Sequence, residues 1–330
     1  MEERWRPVRE ACEDNIQRGR EKAMQLCVFV RGTCVVDIQG ARTKKDRVDE
    51  EDHILFSSSK VFESLVIAML VDKGLVSYGE APIATYWPEF GTVYSPTLTA
   101  GQWMRHEGGL SVIQRPQSLI DLHEHFRTIP ALQLWILYSG VLKMDEDVQC
   151  GEVHTRYYAM TRGMLTDVLV YRVTGMRTSE YIQLIVNAIK CTDSPSRVRY
   201  TIGSRTGTEK IRYEPMRSNL SVLGELVWNQ LGIIPALYEP RPNAPKEAWE
   251  HYHRRFMKPE EIQVTKTMIF SSSSRARKSV SLIKDIPASS SSLANSERFR
   301  SLPLVSVTGH SNAYTLARIG SELVSGKSLF

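Results

Sequence analysis

Ser57 and Lys60 are the residues of this 330-residue chain whose types and spacing most directly suggest chemistry. A serine and a lysine three residues apart share one face of the first turn of a helix. The serine can then be a nucleophile, because the positive end of the helix dipole and its own backbone N–H stabilise a developing oxyanion. Apolar neighbours disfavour the charged form of the lysine, which lets it act as a base. The same spacing also fits an ordinary helix cap.

A long apolar helix follows this pair and would hold it in place. Apolar residues recur at helical spacing behind the pair, and Gly74 ends the pattern. These residues are Phe62, Leu65, Val66, Met69 and Leu70. A second pair with the same spacing, Ser281 and Lys284, lies in a Ser-rich stretch without such a stripe, so we predict that it is on the surface. The sequence therefore predicts a helix over 58–73 that carries Ser57 at its start.

The segment 56–90, FSSSKVFESLVIAMLVDKGLVSYGEAPIATYWPEF, resembles the serine beta-lactamase-related family. This family holds class C beta-lactamases, D-Ala-D-Ala carboxypeptidases and many esterases, and the esterase-like branch with its eukaryotic members is the most similar. Further matching segments follow the family's order at 27–37, 98–110 and 157–175. The resemblance covers most of residues 5–175.

The resemblance implies a mechanism with three side chains and no cofactor or metal. Ser57 would attack an ester or amide carbonyl and carry the acyl group, and Lys60 would hold or relay its proton. A tyrosine would be the general base for acylation and then the acid towards the leaving group. The family's spacing from this tyrosine to the residues matched by 163–165 favours Tyr157. A gapless count back from the residues matched by 173–175 favours Tyr158 instead. We prefer Tyr157, with Tyr158 as the competing assignment.

Two departures from the family's pattern bear on the activity. The third position of the tyrosine motif is usually Asn, but here it is Ala159 or Met160, so we expect ester or small-amide substrates rather than beta-lactams. We find no third motif, a Lys- or His-containing triad that ends in Gly. Arg205–Gly207 comes too early, and Val307–Gly309 lacks the basic residue. Since the chain ends at Phe330, we expect a C-terminal truncation and an incomplete sheet.

The fold class implied by the resemblance is α/β of the α+β type, a beta-lactamase/transpeptidase-like antiparallel sheet flanked by helices, with a large helical subdomain. Local patterns predict a helix over 3–23, a hairpin over 26–38 and a final helix over 312–323. A weaker alternation over 198–211 indicates a strand pair.

We expect a single domain over 1–330. Residues 1–58 would form the N-terminal helix, the hairpin and the approach to Ser57, and 59–235 a mainly helical region. A linker-rich, Ser-rich basic stretch would follow over 236–305, and the C-terminal helix over 306–330.

The composition and charge of the chain indicate its protein class, its compartment and the partners it is not expected to bind. A charged fraction of 24% and the lack of any run of eighteen apolar residues indicate a globular protein without a membrane span. The N-terminus has no signal-peptide pattern, and five cysteines without metal spacing indicate a reducing compartment, which favours the cytoplasm and leaves a mitochondrial location open. The net charge of +5 comes from 271–330, and we interpret the basic Ser-rich stretch over 271–278 as a solvated loop rather than a nucleic-acid site.

Other candidate sites are weaker. His123 and His125 are two residues apart, so on a helix their imidazoles point in different directions and a metal site is not expected. Gly326–Ser328 resembles part of a phosphate loop, but the preceding glycine is one residue too far away and no helix can follow.

Two functions from different classes follow. The first is a serine hydrolase that acts on a small-molecule ester or amide through an acyl-enzyme. The second is a catalytically impaired, truncated relative that acts through binding or assembly and can self-associate through an unpaired sheet edge. Ser57, Lys60 and a tyrosine favour the hydrolase, whereas the missing third motif favours the second function.

Overall fold

The structure is a computed structural model of the chain. It describes residues 3–18, 21, 23–41, 52–111, 113–114, 117–144, 155–190, 197–203, 246 and 296–325. Several features singled out in the sequence lie outside these ranges. They are Ser281 with Lys284, Arg205–Gly207, Gly326–Ser328, and the basic Ser-rich stretch over 271–278.

Helices make up most of the described chain. The α-helices are α1 (Arg6–Gln17), α2 (Lys60–Asp72), α3 (Pro88–Val93), α4 (Ala100–Met104), α5 (Leu119–Phe126), α6 (Ile129–Tyr138), α7 (Thr161–Thr174), α8 (Thr178–Lys190), α9 (Glu297–Arg300) and α10 (Ala313–Val324). Short 3-10 turns cover Glu3–Trp5, Phe56–Ser59 and Ile83–Thr85. Among the described residues, no helix is both long enough and apolar enough to cross a membrane.

Within the described residues, five strands form two antiparallel sheets. The strands are β1 (Ala23–Val30), β2 (Thr33–Ala41), β3 (His53–Ile54), β4 (Tyr200–Ile202) and β5 (Gly309–Ser311). The first sheet is the β1–β2 hairpin, which turns at Arg31 and Gly32, both with positive φ. The second sheet has the order β3–β5–β4, with β5 at its centre. The predicted class, an antiparallel sheet flanked by helices, is confirmed.

Helix α1 packs against the hairpin through one side. Cys12 is buried with Val36 and Ile38 of β2, and the partly buried Trp5 and Val8 pack against the same cluster. The helix predicted over 3–23 ends earlier, at Gln17, because the chain turns there to enter β1. The hairpin predicted over 26–38 is present and is longer than predicted.

Helices α2, α7 and α8 form the centre of the molecule. In α2 the predicted stripe is buried, apart from Met69, which is partly buried. Gly74 follows the helix with φ +67°, a left-handed conformation that glycine adopts without strain. Helix α7 is buried along its first ten residues, which include charged ones.

The strands of the second sheet differ from the sequence prediction. Over 198–211 a strand pair is predicted, but within the described part of this segment there is one strand, β4, and it pairs with β5. Strand β5 was not predicted, since three residues are too few for a periodic pattern. Helix α10 follows it as predicted, with Asn312 as the N-cap that accepts a hydrogen bond from the Thr315 N–H.

Candidate active site

Ser57 lies in the 3-10 turn Phe56–Ser59 that leads directly into α2. The Lys60 N–H donates to the carbonyl of Ser57, and side chains three residues apart eclipse each other in such a turn. Ser57 and Lys60 therefore share one side of the turn, with Ser57 exposed and Lys60 buried. Phe56, just before the serine, has φ +44°, a strained conformation of the kind that clusters at functional sites.

The turn that carries Ser57 is anchored to the centre of the second sheet. The Leu55 N–H donates to the carbonyl of Gly309 at 2.8 Å, and the Gly309 N–H donates to the buried hydroxyl of Ser59 at 3.2 Å. Behind this pair lies the buried phenol of Tyr200, whose pKa is raised by burial. These contacts fix the start of α2 against β5.

Two backbone carbonyls hold the amine of Lys60. Its Nζ donates to Ala159 O at 2.8 Å and to Ser306 O at 3.2 Å. Burial is the main cause that lowers the pKa of Lys60 to about 8, while the Glu63 carboxylate raises it and the Arg162 guanidinium lowers it. About a tenth of this amine is therefore neutral at pH 7, and the neutral form is the one that can accept a proton.

The two candidate tyrosines have different surroundings. Tyr157 is half exposed, and its ring centre lies 5.1 Å from Lys60 Nζ. Tyr158 is fully buried, where its ring lies against Trp103 and its hydroxyl accepts a hydrogen bond from the Leu110 N–H at 3.4 Å. The structure thus places the ring of Tyr157 beside Lys60 and the ring of Tyr158 in the core.

Comparisons with known proteins show the family of the chain and its fold. The sequence profile of the family described as Beta-lactamase matches residues 8–186, more than half of the chain. The chain belongs to the beta-lactamase family. It is 34% identical over 154 residues to the esterase/beta-lactamase LipL of Mycobacterium tuberculosis (strain ATCC 25618 / H37Rv), over 46% of this chain. That match spans 33% of LipL, about a third of its length.

Solved structures show the beta-lactamase-family fold. A penicillin-binding protein homologue from Caulobacter crescentus has a TM-score of 0.64 at 22% identity, covering 100% of this chain and 73% of its own. A family VIII carboxylesterase has a TM-score of 0.64 at 18% identity, covering 98% and 70%. EstA from Arthrobacter nitroguajacolicus Rue61a has a TM-score of 0.60 at 20% identity, covering 95% and 66%.

A buried ion pair behind Lys60 was missed in the sequence. Glu63 is fully buried, and its Oε2 accepts a hydrogen bond from Arg162 Nε at 2.8 Å. The remaining donors of Arg162 contact Lys60 O at 3.0 Å, Ser64 Oγ at 2.7 Å, Met104 O at 3.2 Å and one nitrogen of His106 at 3.4 Å. The signal in the sequence was a charged residue inside each of two apolar helices.

His106 lies between this pair and the tyrosines. One ring nitrogen faces Arg162, and the other faces the backbone N–H of Tyr158 at 3.2 Å. Burial, and then the positive charges of Arg162 and Lys60, lower the pKa of His106 to about 4, so it is neutral. A neutral imidazole has one acceptor nitrogen and therefore accepts from one of these two donors at a time.

Gly163, at the start of α7, packs closely against Glu63 and Ser306. A Cβ on Gly163 would lie 2.5 Å from Ser306 Oγ and 3.1 Å from Glu63 Oε1. Only glycine leaves room for the segment around Ser306, which supplies one of the two carbonyls for Lys60.

The other residues singled out in the sequence, the two histidines of α5 and the segment Val307–Gly309, make different contacts. The ring nitrogen Nε2 of His123 contacts Arg298 O at 2.8 Å, whereas His125 stacks on Trp135 with ring centres 4.5 Å apart. Within the described ranges, no group of three or more His, Cys, Asp or Glu residues is placed to hold a metal ion. In Val307–Gly309, the Thr308 hydroxyl donates to the carbonyls of Leu302 and Leu304, so its contacts are structural.

Proposed function

We propose that this chain is a serine hydrolase that cleaves a small ester or amide through an acyl-Ser57 intermediate. The observation that carries the proposal is the buried amine of Lys60, on the same side of the turn as Ser57 and beside Tyr157. A neutral amine has two N–H groups and one lone pair. Since two carbonyls accept its N–H groups, the lone pair stays available for the proton of Ser57.

The chemistry needs only these three side chains and a water molecule. Ser57 Oγ bonds to the substrate carbonyl carbon while its proton passes to the Lys60 amine. The negative charge that forms on the carbonyl oxygen is stabilised by the N–H groups at the start of the helix. When the C–O or C–N bond breaks, the leaving group takes a proton from the Lys60 ammonium through the Tyr157 hydroxyl.

Deacylation uses the same groups in reverse. Water gives a proton to Lys60 by way of Tyr157 and attacks the acyl carbon. The bond to Ser57 Oγ then breaks, and the proton returns to that oxygen. The three side chains end the cycle in their starting protonation states.

The residues around Lys60 favour esters and small amides over beta-lactams. At the position where an Asn side chain is usual, the chain has Ala159 if the motif begins at Tyr157, or Met160 if it begins at Tyr158. Ala159 contributes its carbonyl to Lys60 and has only a methyl group to offer a substrate. The name of LipL, esterase/beta-lactamase, supports serine hydrolase activity in general and does not separate the two substrate classes, and the match covers a third of LipL.

Labelling with a fluorophosphonate probe tests this function. We expect the mass shift on Ser57, and we expect Ser57→Ala to lose labelling and to lose turnover of a short-chain aryl ester by several orders of magnitude. The matched control is Ser58→Ala, since Ser58 is the exposed neighbour in the same turn and should be dispensable. Retained turnover in Ser57→Ala would show that the nucleophile lies elsewhere.

A further inference from the structure

Glu63 and Arg162 have no place in the three-residue mechanism, yet they fill the space behind Lys60. Both side chains are buried, and their charged atoms are 2.8 Å apart. A buried ion pair is not required for stability, because apolar residues of similar volume are often as stabilising or more so. The pair therefore needs another explanation, and its contacts point to Lys60.

Arg162 binds the backbone of Lys60, and Ala159, three residues before Arg162, binds its amine. The guanidinium donates to the backbone carbonyl of Lys60 at 3.0 Å, and the carbonyl of Ala159 accepts from Lys60 Nζ at 2.8 Å. Arg162 also donates to Ser64 Oγ and Met104 O, so it joins α2 to the end of α4. Glu63 holds the remaining donor of the guanidinium, which keeps its plane in place.

We propose that the Glu63–Arg162 ion pair is a positioning device for Lys60, in which the guanidinium holds the lysine's carbonyl and the carboxylate holds the guanidinium. The inference rests on the proposed function only in that Lys60 is the base there. Glu63 and Arg162 are positioning residues, since neither is placed to touch the substrate.

The pair also contributes the two formal charges that act on the pKa of the Lys60 amine. Four titratable or charged groups face the lysine: Glu63 on its own helix, Arg162 on α7, and Tyr157 and His106 from the segments beside them. His106 is neutral, which leaves one negative and one positive charge. The carboxylate raises the pKa of Lys60 and the guanidinium lowers it, so the two members should have opposite effects when removed.

An NMR titration of the lysine side chains tests this without using turnover. The ¹³Cε signal of Lys60 is assigned by its loss in Lys60→Met, and its midpoint in the wild type should be near 8. Glu63→Gln should move the midpoint down by about one pH unit or more, and Arg162→Gln should move it up by a similar amount. The matched control is Asp167→Asn, which removes another buried carboxylate of α7 from its ion pair, that with the partly buried Arg177.

The double variant Glu63→Gln/Arg162→Gln covers the case in which a single variant does not fold, because it removes both members of the pair and leaves neither without its partner. Its Lys60 midpoint should return towards 8, while its kcat for an aryl ester should fall at least tenfold at unchanged KM, because the contact to the Lys60 carbonyl is weakened. Arg162→Lys should keep the midpoint and still lose kcat, since lysine cannot reproduce the five-donor geometry.

Opposite shifts in the single variants, with no shift in Asp167→Asn, would support the positioning device. Unmoved midpoints, or a folded double variant with full kcat, would overturn it. The two proposals fail separately. Opposite shifts in a protein without hydrolase activity would refute the proposed function alone, and an active enzyme with unmoved midpoints would refute only the role of the pair.

Discussion

Acylation of Ser57 should follow the deprotonation of Lys60 as the pH changes. Burial lowers the pKa of this amine to about 8, so the neutral form, which accepts the proton, dominates above that pH and the ammonium below it. The neutral fraction falls from about nine tenths at pH 9 to about one hundredth at pH 6, by the ordinary titration relation. The rate constant for acylation should therefore fall roughly 90-fold over this range.

The quantity to measure is the second-order rate constant for fluorophosphonate labelling of Ser57, followed by mass spectrometry at constant ionic strength. This reagent reports acylation alone, because the phosphonylated serine is not turned over. Lys60→Met should label far more slowly and show no midpoint near 8. A labelling rate that is constant between pH 6 and 9, or that rises as the pH falls, would refute Lys60 as the base.

Three further predictions concern Lys60 and the residues around it. Tyr157→Phe should lower kcat/KM for an aryl ester by about 10²- to 10⁴-fold, whereas Tyr158→Phe, which removes the long hydrogen bond from the Leu110 N–H in the core, should leave it nearly unchanged. Gly163→Ala should lower the free energy of unfolding in urea by about 1–3 kcal/mol, because its Cβ would lie 2.5 Å from Ser306 Oγ; an unchanged midpoint would contradict this packing. For Lys60 the folded-state pKa of about 8 lies below the ordinary 10.5, so between these values the unfolded chain binds more protons. The stability of the wild type relative to Lys60→Met should therefore rise with pH across that window, by up to about 3 kcal/mol in parallel urea titrations, and a difference that falls would contradict the burial of the amine.

Features that depend on neighbours along the chain could be predicted from the sequence. The shared side of Ser57 and Lys60 follows from a spacing of three residues, and the hairpin and α10 follow from their own periodicity and turn residues. The second sheet could not be predicted in this way, because β3, β4 and β5 are two or three residues long and come from distant segments. The surroundings of Tyr157 and Tyr158 also needed the structure, since adjacent residues look alike in the sequence and only the fold leaves one half exposed and buries the other.

By itself the sequence determined which residue types could react and which side of the first turn they share. Only the tertiary structure decided what surrounds the amine of Lys60. Its carbonyl partners are 99 and 246 residues away, at Ala159 and Ser306, and the Glu63–Arg162 pair spans 99 residues. The proton affinity of an amine depends on desolvation and on nearby charges. Those come from segments that meet only when the chain folds, so no local spacing in the sequence could specify them.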